Sequence, residues 1–233
     1  MIKLLRPILL ILFFMLTVVS AKSQKWQRGA FTDVKNNRLE GLIQASPSGK
    51  GPIKNEGFII YKESDNAPEV RLSASDIKGF VAGTDSFAVA HPPMGQTWPN
   101  ETDFVKIVIN EPLKLYVYRG GSRGSGGGKG VHFSPGLGVG YGGGGYGGGG
   151  YGGAGLGISI GGGGNGGSSR TAYYFGATTA ELTELTPQNF EDVMSEIMGD
   201  DTEILEALRN HQYNYGNLDK LLKRYKATVA TAK

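Results

Sequence analysis

The fold turns on Phe104-Val-Lys-Ile-Val-Ile109, Asn110-Glu-Pro112 and Leu113-Lys-Leu-Tyr-Val-Tyr118. The first six residues are rich in apolar and β-branched side chains, the next three supply a turn, and the last six alternate at period two. That pattern predicts an antiparallel hairpin. Working back from it, Arg38–Ile43, Gly57–Lys62, Val70–Ser73, Asp76–Val81 and Ser86–Val89 read as further strands, with a turn at Gly83-Thr-Asp85. Ser46 to Asn55 reads as a loop. So does His91-Pro-Pro-Met-Gly-Gln-Thr-Trp-Pro99, because its prolines remove too many ladder donors for a strand.

Working forward, Thr171-Ala-Tyr-Tyr-Phe175 reads as one more strand, with Leu113–Tyr118 as its natural partner. The two are separated by residues 119–170, a Gly/Tyr-rich low-complexity stretch; 28 of the chain's 39 glycines fall between 120 and 167. Ordering glycine costs the most backbone entropy of any residue and buries no side chain, so a disordered loop inserted in a hairpin is expected. Within it, Tyr141, Tyr146 and Tyr151 recur at five-residue spacing and are candidate interaction residues for weak multivalent contact.

Beyond the last strand the period changes to 3.6. Phe190, Val193, Met194 and Ile197 share a helix face, with Thr186-Pro187 as the expected cap and Gly199 as the stop. Asp200 or Asp201 is expected to cap a second helix carrying Ile204, Leu205 and Leu208. Asn217 is expected to cap a third with Leu218, Leu221, Leu222 and Tyr225. The fold class is therefore α+β, a small antiparallel sheet or partly open barrel followed by three short C-terminal helices.

The N-terminus has another character. Lys3 and Arg6 precede an uncharged apolar run from Pro7 to Val19, and Val19-Ser-Ala21 gives small residues before the polar Lys22. The run is about 13 residues, short of the ~20 that span a bilayer, so residues 1–21 read as a cleaved secretory signal, with cleavage between Ala21 and Lys22. The expected organisation is signal 1–21, β-rich domain 22–118, Gly/Tyr-rich loop 119–170, final strand and helical tail 171–226 packing on the β domain, and a disordered tail 227–233. No later segment reaches membrane-spanning length.

Composition narrows the chemistry. The 233-residue chain has no cysteine, which excludes disulfides, thiolate metal sites and cysteine nucleophiles. Removing Lys3 and Arg6 with the signal lowers the formal charge from +3 to about +1, too near neutral to attract nucleic acid. His91, His132 and His211 lack a local metal-ligating neighbour and read as surface residues. Asp76, Asp85 and Asp103 are possible catalytic carboxylates, but each sits at a turn or strand start, where backbone reasons suffice. Asn100-Glu-Thr102 has the form of an N-glycosylation triplet. Gly-x-Gly-x-x-Gly matches inside the glycine tract follow from composition alone, and Gly130 replaces the hydroxyl residue that a phosphate loop needs after Lys129. No cofactor, metal ligand or catalytic residue is assigned.

Asp76-Ile-Lys-Gly-Phe80, Asp85-Ser-Phe87, Phe104-Val-Lys-Ile-Val, Leu113-Lys-Leu-Tyr, Ala172-Tyr-Tyr-Phe175 and Asn217-Leu-Asp-Lys-Leu-Leu-Lys-Arg-Tyr225 together give a resemblance. Over most of 38–118 and 171–226 the chain resembles uncharacterised exported proteins of Bacteroidota that carry a small N-terminal β domain and a short helical tail. The glycine-rich insert departs from that pattern. The resemblance implies an envelope location, in the periplasm, at the outer-membrane periphery or outside the cell, and supplies no functional residues. The expected role is non-catalytic binding or structural, with an envelope protein or polysaccharide as partner. The rival readings are an enzyme or accessory whose site is assembled from distant residues, and a protein that self-assembles through its Tyr-Gly repeats.

Overall fold

The computed structural model describes residues 26–120 and 170–231. The expected signal, the Ala21/Lys22 junction, His132 and the three tyrosines Tyr141, Tyr146 and Tyr151 lie outside the described residues.

The strands are β1 (Gln27–Asp33), β2 (Arg38–Gln44), β3 (Phe58–Lys62), β4 (Val70–Ser73), β5 (Ile77–Ala82), β6 (Asp85–Ala90), β7 (Asp103–Ile109), β8 (Lys114–Gly120), β9 (Arg170–Gly176) and β10 (Thr183–Glu184). All ten join one open antiparallel sheet in the order β10-β9-β8-β7-β6-β5-β1-β2-β3-β4. The α+β class holds, but the sheet is large rather than small. It gains β1 and β10, which sequence pattern did not show. In β1 only Ala30 and Phe31 are buried, so polar residues and Gly29 hide the alternation.

The decisive hairpin forms as expected, with Lys106 opposite Val117 and Ile107 opposite Tyr116, and a bulge before Ile109. β9 pairs with β8 without a break from Lys114↔Gly176 to Gly120↔Arg170. The glycine-rich stretch therefore begins and ends at directly opposed residues of two neighbouring strands.

The sheet also curls. Glu56 and Thr102 form an isolated parallel bridge, with the Gly57 N–H donating to the Thr102 carbonyl at 2.8 Å. These positions lead into β3 and β7, which have four strands between them in the sheet, so this half coils until its two sides touch. Inside the coil Phe31, Ile43, Ile59, Phe80, Phe87 and Phe104 form one core. Phe80 stacks on Phe87 (4.5 Å) and meets Phe104 edge-on (5.0 Å).

The helices cover one face of the other half. Helix α1 (Phe190–Ile197), α2 (Thr202–Arg209) and α3 (Leu218–Thr231) lay Met194, Ile204, Leu208 and Leu221 against Leu115, Val117 and Tyr173. The apolar stripe of α1 is buried as its spacing requires. Asp201 caps α2 by accepting from the Ile204 N–H at 3.0 Å. The other two caps are corrected. Asn189, not Thr186, precedes α1; its Oδ1 accepts from the Thr186 N–H at 2.7 Å and so folds the connection back. Asn217 likewise points backward, accepting from the Asn214 N–H at 2.7 Å and donating to the Gln212 carbonyl at 3.1 Å. A single 3-10 turn, Tyr215–Asn217, therefore runs directly into α3. That helix continues to Thr231, into the span expected to be a tail, because Ala227 to Ala230 contain no glycine or proline to stop it. No described helix is long and apolar enough to cross a membrane.

Candidate ligand cleft

The loop after β2, from Ala45 to Gly57, is rich in glycine and proline, and its first residue packs against the core of the coiled half. Its backbone is tied at several points. The Ile53 N–H donates to Ser73 Oγ at 3.3 Å, Arg71 donates to the Lys50 carbonyl at 2.8 Å, and the Asn55 side chain donates to Glu101 at 3.2 Å. Arg71 also lies over the Phe58 ring. Gly51 packs against the other part of that ring, where any Cβ would come within 2.8 Å. Between this loop and the start of β7 lies a cleft of about 500 Å³. Phe58 and Phe104 line it, together with the buried Asp103, the partly buried Asn100 and the exposed Lys50 and Lys54.

Asp103 is the one buried acidic residue among the described residues, 1 % exposed. Its Oδ1 accepts the Phe104 N–H at 2.9 Å; its Oδ2 accepts from Asn100 Nδ2 at 3.0 Å and from the Tyr118 hydroxyl at 3.1 Å. All three donors are neutral, and among the described residues no cation pairs with it. Burial pushes its carboxyl above the usual carboxylate range, and the hydrogen bonds from Phe104, Asn100 and Tyr118 pull partly against that. Burial, and then the charge on Asp103, raise the Tyr118 phenol in turn.

Behind Asp103 a network fixes the 91–102 loop to the sheet face opposite the helices. Trp98 stacks on Tyr118 and donates Nε1–H to the Tyr174 hydroxyl at 3.2 Å. Tyr174 donates to Gln96 Oε1 at 2.7 Å, and Gln96 donates to Glu184 on β10 at 2.6 Å. One loop thus reaches from the cleft to the last strand.

The chain matches no known protein family, characterised protein or solved structure.

The three aspartates singled out in the sequence have separate roles. Asp76 accepts from the Ser73 N–H at 2.8 Å in a capping box, and Asp85 pairs with Lys106 at 2.7 Å. Asp103 alone enters the cleft; its place at a strand start concealed its burial. His91 is exposed, its Nδ1 3.0 Å from the Glu101 carbonyl, and His211 is exposed beside Glu191. Among the described residues no three His, Asp or Glu side chains converge as a metal site. Asn100 of the glycosylation triplet is partly buried, and its amide is engaged by Asp103.

Proposed function

We propose that this is an exported envelope protein with a non-catalytic binding role, and that the cleft under the Ala45–Gly57 loop holds its ligand. The observation that carries this reading is the cleft itself. Its volume falls in the ~300–1,000 Å³ range of small-molecule sites, and Phe58 and Phe104 contribute to walls that also carry polar side chains. Its carboxylate is held by three neutral donors, the Phe104 N–H, the Asn100 amide and the Tyr118 hydroxyl, and among the described residues no histidine or lysine hydrogen-bonds to it. That arrangement favours binding over catalysis. Export rests on the charge and apolar pattern of residues 1–21, and the resemblance to Bacteroidota envelope proteins agrees with it. The partly open barrel corresponds in this reading to the coiled half of the sheet. Residues 119–170 are read as a spacer, with self-assembly through Tyr141, Tyr146 and Tyr151 as the competing role.

The test is to express the full chain in its native host, fractionate the cells and sequence the N-terminus of the purified protein. An envelope protein beginning at Lys22, which releases a small molecule on denaturation and loses it in a Lys54→Trp variant, supports the reading. A cytoplasmic protein with an intact leader, or release unchanged by Lys54→Trp, refutes it.

A further inference from the structure

The two apolar cores meet on β7. Phe104 belongs to the core inside the coil and Val108 to the core under the helices, and both are buried. Midway between them in the strand stands Lys106, whose Nζ pairs with Asp85 of β6 at 2.7 Å, each side chain only 15 % exposed. A third charge arrives from α3. Leu218 and Leu222 are fully buried against the sheet, and Lys226, one helical turn further on, continues their stripe. An apolar side chain is what that position calls for. Lys226 is instead partly buried beside Lys106 and Asp85. Among the described residues no ion pair engages its ammonium, and Asp85, the acid beside it, is already held by Lys106.

The arrangement works against the fold. Burial, and then Lys106, push the Lys226 ammonium below the usual lysine range, and Asp85 offsets them only in part. Two ammonium groups and one carboxylate leave one positive charge unbalanced at the seam, partly removed from water. A monovalent anion balances it, whereas a divalent one would leave an excess of negative charge beside Asp85.

We infer that this seam binds a small monocarboxylate, its oxygens between the Lys226 and Lys106 ammonium groups. None of these three residues lines the cleft under the Ala45–Gly57 loop, so this is a second site, independent of the first. The carboxylate supplies the acceptor that Lys226 lacks and relieves the repulsion between the two ammonium groups. Hydrogen bonds between charged groups are about twice as strong as neutral ones, and partial burial limits their screening by salt. A bound anion also accounts for a lysine in the apolar stripe, where methionine would pack without an electrostatic penalty.

The experiment uses the purified full-chain product carrying isotope-labelled lysine, with chloride exchanged for acetate at constant ionic strength and neutral pH. The ε-methylene resonances of Lys226 and Lys106 are expected to shift together and saturate in the millimolar range. Lys226→Met should weaken binding about tenfold, and Lys226→Arg, which keeps the charge, should restore most of it. Lys223→Met, on the exposed side of the same helix, should leave it unchanged. Asp85→Asn removes the competing negative charge and should tighten acetate binding several-fold, a gain that damage to the fold does not produce. Absence of saturation, or unchanged affinity in Lys226→Met, overturns the proposal. Phosphate binding more tightly than acetate overturns it too, because the charge balance that selects a monovalent ligand would then be wrong.

Discussion

Trp98 lies flat on Tyr118, with ring centroids 3.9 Å apart and planes 14° from parallel, and the hydroxyl of that tyrosine ends on Asp103. A residue from a proline-rich loop thus clamps the side chain that anchors the buried acid. Trp98→Ala should cost about 3 kcal/mol, the lower end of aromatic truncations in a core, since Trp98 is only partly buried. Trp98→Phe keeps a ring and loses the bond to Tyr174, and should cost about 1 kcal/mol. Urea denaturation of both variants checks the order; equal losses would show that stacking contributes little.

Asp103 should impose a pH slope on stability. Its carboxyl is raised in the folded state, so the folded protein holds this proton more tightly than the unfolded chain. The penalty is fully present above the folded value and is relieved as the pH falls through it toward the ordinary carboxylate range. The melting temperature of wild type relative to Asp103→Asn should therefore rise between pH 7 and pH 4.5. Paired thermal melts decide the matter, and a constant difference across that range contradicts it.

Gly57 touches Asp103 so closely that an added methyl collides with Oδ1. Gly57→Ala should destabilise the protein by roughly 2 kcal/mol or more, because the obstacle belongs to a buried, hydrogen-bonded group that cannot swing away. Chemical denaturation measures the loss, and a neutral result would mean that the bridge at Glu56 and Thr102 tolerates displacement.

Asp85 and Lys106 pair at 2.7 Å with little of either side chain exposed. A double-mutant cycle to alanine should return a coupling of about 1 kcal/mol. Lys226 on α3 lies near both. Burial lowers its ammonium, Lys106 adds to that, and Asp85 opposes it. Lys226→Met should consequently be neutral or stabilise by up to about 1 kcal/mol, and a clear loss in melts of this variant would contradict the balance.

Deleting residues 121–169 and joining Gly120 to Arg170 through a two-residue turn should leave the melting temperature within a few degrees, since those two residues are already opposed. Differential scanning calorimetry of the deletion answers this; a large drop would show that the insert packs on the domain.

The sheet was largely legible because most of its strands carry side chains with strand pattern. Phe58–Lys62 and Lys114–Gly120 bury nearly every residue and contain few breakers. β1 was not legible, as Gly29 and polar neighbours interrupt its period, and β10 is two exposed residues whose pairing depends wholly on β9. The cleft was illegible for a related reason. Most of its lining comes from the Ala45–Gly57 loop, which reads only as a connection between strands, and its acid becomes special only through burial, which depends on residues far off in the chain. The caps were misread at Thr186, because the turn that Asn189 folds back delays the helix start, and at Asn217, whose side chain hydrogen-bonds backward to Asn214 and Gln212.

The strand order has a kinetic consequence. β1 to β4 form one meander and β5 to β10 another, so nearly every neighbour in the sheet is also a neighbour in sequence. Two pairings are long in chain distance, β1 against β5, where Gly29 must find Ala82, and β8 against β9, where Gly120 must find Arg170 across the insert. Loop closure over those separations is the entropic hurdle, and rates fall as pairing grows less local. The hairpins within β1 to β4 and β5 to β8 can therefore zip early, while the β1–β5 seam governs how long the coiled half stays open to wrong partners.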